Sequence, residues 1–518
     1  MPILNWIGKE AVVNHDKEVP FRLLKKIKSR SYGENSQNLI IHGDNLEALK
    51  ALMPYYQGQI KCIFIDPPYN TGSDGWIYND RVNSPKIKKW LGKVVGNETE
   101  DLCRHDKWLC MMYPRLKLLK DLLSEDGSIF ITIDDNEQSN LMKIMEEIFY
   151  LDNFLGTIIW EKNYSPRNDA KTFSASHDYI IVYAKNRRIW ERKGRNLIPR
   201  TEKQTQRYKN PDNDPRGPWQ SDNLAVKTYN KAYDYPIKTP NGRIVKPPPG
   251  SCWRISSEEL EARIKDNRIY FGESGNNVPR IKRFLSEVQE GMVPITLWKR
   301  EEVGDTQEGK RELLDLLEGN NVFFETPKPT RLIKKVIQLA TNKGDLVLDS
   351  FAGSGTTAHA ILDLNKTLGG NRSFILIEME DQIANDITAE RVKRAIKKLD
   401  YKEGFEYCEL DKPLFNEEGQ IESECTFEQL ATYIYFTETN TNLDKKRISG
   451  NMIGAYLDTT YYLLFKEKGN NVLKKDFLQK INKIDKKVIY ADKCLIDKKT
   501  LDEHNIQFKQ IPYEVKVY

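Results

Sequence analysis

The apolar run IKCIFI, residues 60–65, stops against DPPYNTG, where two consecutive prolines forbid strand or helix from continuing. A strand that must end there delivers Asp66, Pro67, Pro68 and Tyr69 to its carboxyl end, the edge at which open α/β sheets bind ligands. The flanking sequence alternates as such a sheet requires. NLIIHGDNLEALKALM reads as a buried strand over 39–41, a turn with Gly43 and Asp44, and a helix bearing Leu46, Leu49 and Leu52. WLCMMYPRLKLLKDLLSEDGSIFITIDD reads as a helix, a DG turn and a strand over 128–133. Further on, RLIKKVIQLA and ITAERVKRAIKKL read as helices, and SFILIEME as a strand ending in acids. The expected fold class is α/β, with a mixed, mostly parallel sheet.

The chemistry at the proline-ended strand is specific. An exocyclic amine that attacks an electrophilic carbon needs acceptors for its hydrogens, and Asp66 with the carbonyl of Pro67 provides them. Tyr69 offers a flat face for a base taken out of its helix. The plain alternative is a rigid turn whose tyrosine merely packs. A second ligand-type turn is FAGSGTT, which follows a strand ending in Asp349 and comprises Phe351, Ala352, Gly353, Ser354, Gly355, Thr356 and Thr357. Its glycines let backbone approach a ligand, and it opens a helix. It lacks the GK[ST] ending of a phosphate-binding loop and the full GxGxxG fingerprint, which disfavours ATP and NAD. One strand later Glu378 is placed to accept hydrogen bonds from ribose hydroxyls. An ordinary tight turn with a surface acid is the alternative there.

Between the two blocks the periodicity weakens and prolines, glycines and bases accumulate, as in KNRRIWERKGRNLIPRTEKQTQRYKN and VKPPPGSCW. This separates five segments: an N-terminal extension (1–34), a catalytic half (35–185), an inserted domain (186–325), a cofactor half (326–400) and a C-terminal α+β domain (401–518). In the insert, Arg187, Arg188 and Arg192 are candidate DNA contacts, interleaved with Trp190, Tyr208 and Trp219, although a charge run is usually a solvated face. The net charge of +5 over 518 residues is too small to argue for a nucleic-acid partner by itself. The seven cysteines form no CxxC pair, so neither a disulfide framework nor a metal site is expected. No apolar stretch reaches membrane-span length and the first residues do not resemble a signal peptide, so a cytoplasmic location is expected.

DPPYNTG preceding FAGSGTT resembles the β class of amino-methyltransferases, in which the catalytic block comes before the cofactor block. IIHGDNLEAL is similar to the family segment whose acid, here Asp44, reaches the cofactor adenine. SASHDYIIVYAKN and ETPKPTRLIKKVI resemble two further family blocks, and the long layout is similar to modification subunits of type III restriction systems. The resemblance implies a Rossmann-like methyltransferase sheet with an inserted target-recognition domain. It also implies S-adenosylmethionine as cofactor, with Asp44, Asp349, residues 351–356 and Glu378 binding it. The implied reaction is direct methyl transfer to N6 of a flipped adenine in double-stranded DNA, with Asp66, Pro67, Pro68 and Tyr69 as the catalytic set. A homodimer and a restriction helicase subunit are the implied protein partners. Carbon-5 cytosine methylation needs an attacking thiolate, typically in a Pro-Cys pair, and no cysteine here follows proline. N4-cytosine methylation stays open as an alternative, although that variant more often has Ser in place of Asp66. So does a non-catalytic DNA-binding subunit that keeps a cofactor pocket. His177 in SASHDY is expected to be structural rather than a general base.

Overall fold

The structure, a computed structural model, describes residues 3–33, 36–71, 101–166, 170–289, 291–318, 324–416, 420–422, 424–466 and 471–511. Gly72 of DPPYNTG and the end of the C-terminal tail lie outside them. The chain divides into two compact units, one formed by residues 1–196 with 295–518 and the other by 197–294.

The larger unit is built on a ten-stranded sheet. Its strands are β1 (Arg22–Lys26), β2 (Leu39–His42), β3 (Ile60–Ile65), β4 (Leu123–Ile133), β5 (Phe154–Glu161), β6 (His177–Ala184), β7 (Leu297–Trp298), β8 (Leu346–Asp349), β9 (Ser373–Glu378) and β10 (Glu406–Pro413). Their order across the sheet is β1-β10-β2-β9-β8-β3-β4-β6-β5-β7. The run from β10 to β4 is parallel, while β1 and β6 pair antiparallel with β10 and β4. Strands covered on both faces by helices read as unbroken apolar runs. Accordingly all six residues of β3 and all six of β9 are buried.

Helices α1 (Asn45–Tyr56) and α2 (Asp101–Leu122) pack together, as do α3 (Thr330–Ala340) and α4 (Thr356–Leu368). The path after β8 leads through α4 to β9 on one side, and the path after β3 leads through α2 to β4 on the other. The connections therefore diverge between β8 and β3, and such divergence opens a crevice at the carboxyl ends of the two strands. That crevice lies where DPPY and FAGSGTT both begin.

Strand β4 starts five residues before the expected Ser128. Leu123 pairs with Ile60, and a register shift absorbs the DG turn as an irregularity within the strand. The composition shift places residues 186–196 and 295–325 in the insert, yet those of them that are described belong to the larger unit. Leu297 and Trp298 form the outermost strand beside β5, Trp298 is fully buried, and the helix Thr306–Leu316 meets Arg394, which donates to the Leu316 carbonyl. A two-residue strand carries no readable periodicity, so the sequence hides this return. Likewise β1 and β10, read as an extension and a tail, join the main sheet: β10 runs parallel to β2, and β1 lies antiparallel outside it. The remaining C-terminal residues form a four-stranded sheet from Met452–Tyr456, Thr459–Leu463, Lys486–Ala491 and Ile506–Gln510, with the helix Phe427–Thr439.

The smaller unit, 197–294, has its own core of Leu224, Ile237, Val245, Trp253, Ile255, Leu260, Ile269, Phe271 and Ile281. Three strands, Ile269–Tyr270, Arg280–Phe284 and Trp219–Asn223, form its main sheet. Within it the Lys282 ammonium has no exposed surface and pairs with Asp212 and Asp214. Counted along the sequence, residues 197–294 hold 17 Lys and Arg against 12 Asp and Glu, which equals the entire +5 excess of the chain. The larger unit is therefore electrically balanced. Among the described residues no helix is long and apolar enough to cross a membrane.

Candidate active site

Every acid singled out in the α/β blocks reaches one edge of the sheet. Asp44 follows β2, Glu378 ends β9, Asp349 ends β8 and Asp66 follows β3, four strands that are adjacent in the order β2-β9-β8-β3.

The proline-ended strand is held from three sides. The Thr132 hydroxyl, near the end of β4, donates to Asp66 Oδ1 at 2.5 Å. The Lys328 ammonium pairs with Asp66 Oδ2 and stands 5.0 Å from the Tyr69 ring centroid. The Tyr69 hydroxyl donates to Asp178 Oδ2 at 3.3 Å, and Asp178 Oδ1 takes the Lys162 ammonium at 2.5 Å. Burial pushes the Tyr69 hydroxyl and the Asp178 carboxyl upward from their ordinary values. Pro68 offers its carbonyl to Trp108 Nε1 at 2.7 Å. Next in the chain, Asn70 is held at φ 57° and its side chain donates to Glu137, which also meets His105 Nδ1 at 2.6 Å. Trp108→Phe keeps an apolar ring in this buried position but loses part of its volume and leaves the Pro68 carbonyl without its indole donor. The expected result is a loss of about 1–3 kcal/mol in urea unfolding, and an unchanged midpoint would show that another group satisfies that carbonyl.

The glycine-rich turn forms a second, adjoining cradle. Gly353 has φ +48°, and a Cβ there would meet the Phe324 ring at 2.7 Å. Gly355 caps α4 at φ +74°, with Thr388 directly behind it. The Glu378 carboxylate accepts from the amides of Gly353, Met379 and Glu380 at 2.8, 2.9 and 3.0 Å. Asp349 accepts from the Thr357 hydroxyl at 2.5 Å and the Phe351 amide at 3.1 Å. Burial nonetheless raises both carboxyls to about 7. Beneath the turn the buried Arg391 donates to the Ser354 and Thr356 hydroxyls at 2.9 and 2.7 Å, and Thr388 donates to the Gly353 carbonyl at 2.5 Å. The Ser350 hydroxyl is buried without a hydrogen-bond partner among the described residues. A cradle closed to any Cβ, two buried acids and an orphaned hydroxyl fit a polyhydroxyl, cationic ligand of nucleoside type. Asp44 caps α1 by accepting from the amides of Leu46 and Glu47, and its second oxygen lies 3.5 Å from Arg115.

Other expected residues fall elsewhere. Arg187, Arg188 and Arg192 follow β6, whose last residue Ala184 pairs with Ser128, whereas Asp178, next to the Tyr179 that pairs with Ile133, lies near the strand's start at the Asp66 edge. The three arginines thus sit at the opposite edge of the sheet from Asp66, with Arg187 paired to Glu191. Trp219 is buried in the smaller unit, where its indole donates to Asp212 at 2.8 Å. His177 packs edge-on against Tyr179. Lys328, Asp178, Lys162, Thr132 and Trp108 escaped the reading of the sequence, although ETPKPT and SASHDY contain two of them.

A family model described as DNA methylase matches residues 60–390. The chain is 38% identical over 371 residues to the type III restriction-modification enzyme StyLTI Mod subunit of Salmonella typhimurium, covering 69% of this chain and 55% of that subunit. It is 32% identical over 450 residues to the EcoPI Mod subunit of Escherichia phage P1, covering 76% of this chain and 68% of that subunit. The type II methyltransferase M.KpnI of Klebsiella pneumoniae is 28% identical over 379 residues, 70% of this chain and 85% of its own. The chain thus spans little more than half the length of the Salmonella subunit.

Proposed function

Because the chain belongs to the DNA methylase family, we propose that it transfers the methyl group of S-adenosylmethionine to N6 of an adenine flipped out of double-stranded DNA. The observation that carries this reading is the shared edge, where a carboxylate beside a tyrosine face adjoins a glycine cradle lined by buried acids. When bound, S-adenosylmethionine supplies an electrophilic methyl group. Residues 351–356 would hold it, with Glu378 accepting from its ribose hydroxyls and Asp349 and Asp44 supplying negative charge nearby. Asp66 and the Pro67 carbonyl accept the hydrogens of the target amine and aim its lone pair, and Tyr69 stacks the base. No covalent enzyme intermediate is needed. Rate then comes mainly from holding two reactants in attack geometry, which removes much of the entropic barrier.

The smaller unit, which carries the chain's whole net positive charge, supports a target-recognition role, since phosphate contacts position a duplex and base contacts choose the site. A homodimer joined by a restriction helicase subunit is the assembly we favour, on the likeness to type III Mod subunits. The test is expression in a host lacking DNA methylation, followed by modified-base sequencing. N6-methyladenine at one recurring sequence is the expected result. Unmodified DNA from cells that hold folded protein would sink the proposal.

The raised carboxyls give a pH prediction. In the empty protein Glu378 and Asp349 are largely neutral below about 7 and ionised above it. A sulfonium and ribose hydroxyls favour the ionised form, so cofactor affinity should rise about tenfold from pH 6 to pH 8. Glu378→Gln should flatten the rise, as calorimetry at several pH values can show. The linkage to folding has the opposite sign. A folded-state pKa above the unfolded one means stability is highest at low pH and is lost as pH rises through about 7. The cofactor-free protein should therefore unfold at less urea at pH 8 than at pH 6.

A further inference from the structure

Lys328 comes from a segment 262 residues distant from Asp66, yet its ammonium lies against the carboxylate and over the face of Tyr69. A hydrogen-bonding nitrogen held between an acidic acceptor and an aromatic ring is also what the target amine must become when it enters. The lysine is nearly enclosed, with 11% of its side chain exposed. It therefore cannot shift outward into free solvent without giving up both contacts. The second acid of the pocket, Asp178, is bound to the hydroxyl of the same tyrosine and already holds Lys162. Lys328 against Asp66 and Lys162 against Asp178 thus make two ion pairs beside Tyr69.

We infer that Lys328 occupies the acceptor subsite of the empty enzyme as a stand-in for the target amine, and that an entering base displaces it from Asp66 toward Asp178. This rests on the reading that Asp66 and Tyr69 receive a base. It adds a positioning residue whose state decides when the pocket is open. The consequence is a penalty on binding, because a base sees only the fraction of molecules in which the ammonium has moved. That penalty favours bases delivered by a bound duplex over free nucleosides, since only the former bring binding energy from elsewhere to pay for the displacement.

The test uses the full chain saturated with S-adenosylmethionine and the fluorescent probe 2-aminopurine deoxyribonucleoside, which is quenched on stacking and requires no knowledge of the recognised sequence. Lys328→Met and Lys328→Gln should each bind the probe about fivefold to tenfold more tightly than the parent. Asp178→Asn, which removes the destination of the ammonium, should lower kcat/KM on unmethylated plasmid DNA about tenfold, and adding Lys328→Met should restore most of that loss. A purely structural lysine gives neither the tighter binding nor the rescue. Unchanged or weaker probe binding in both Lys328 variants, with cofactor affinity intact, overturns the inference. So does a double variant no better than Asp178→Asn. If the parent protein transfers no methyl group to DNA while the probe still binds more tightly to the Lys328 variants, the proposed reaction fails and the occupied subsite stands.

Discussion

Asp66→Ala should abolish methyl transfer while leaving S-adenosylmethionine affinity close to that of the parent. In the proposed reaction the side chain lost is the acceptor for the target amine, and such proton-accepting groups contribute about 10²–10⁴-fold to rate. It follows β3, whose neighbour β8 leads into the cofactor turn, so its removal leaves the Gly353, Glu378 and Thr388 contacts in place. Thr132 loses its carboxylate acceptor and Lys328 its ion-pair partner, so some local loosening is expected. The check is a pair of measurements on one preparation: single-turnover transfer to plasmid DNA and calorimetry with the cofactor. Activity within tenfold of the parent would mean that the amine is aligned by another group.

Gly353→Val should have the largest effect on the cofactor. Its backbone has φ +48°, where a residue with a Cβ pays about 1–2 kcal/mol and a β-branched one more. The new Cβ would meet the Phe324 ring at 2.7 Å, so either the ring moves or the turn does. If the turn moves, the Gly353 amide leaves Glu378 and the acid loses one of the three donors that hold it. We expect affinity for S-adenosylmethionine to fall by about 100-fold, equivalent to roughly 2.7 kcal/mol, in protein whose circular dichroism matches the parent. Affinity unchanged in the folded variant would place the ligand away from this turn.

How far the sequence could be read follows from which forces are local. Pro67 and Pro68 end β3 by their own geometry, and the glycines of 351–357 declare a close approach, so both halves of the site were legible one segment at a time. That Asp44, Asp66, Asp349 and Glu378 share an edge is a consequence of the parallel pairing, because a parallel sheet puts its strand ends on one side. Lys328 was not legible as a partner of Asp66, since nothing local to ETPKPT announces an ion pair that forms only when β3 and β8 lie side by side. Asp178 was hidden for a similar reason: it enters from an antiparallel strand, whose start rather than its end faces the crevice. Arg187, Arg188 and Arg192 stand out in the sequence by charge density, but charge carries no address in the fold, and the turn after β6 puts them at the sheet edge opposite Asp66. The same limitation blurred the insert, because the return to the main sheet runs through the two residues Leu297 and Trp298.

The base methylated can be read by incubating the protein with S-adenosylmethionine labelled in its methyl group and unmethylated double-stranded DNA, then digesting the DNA to nucleosides. Label should appear in N6-methyldeoxyadenosine with the parent protein and should be absent with Asp66→Ala. Label in N4-methyldeoxycytidine, or no label in DNA from protein that binds the cofactor, would contradict the proposed reaction.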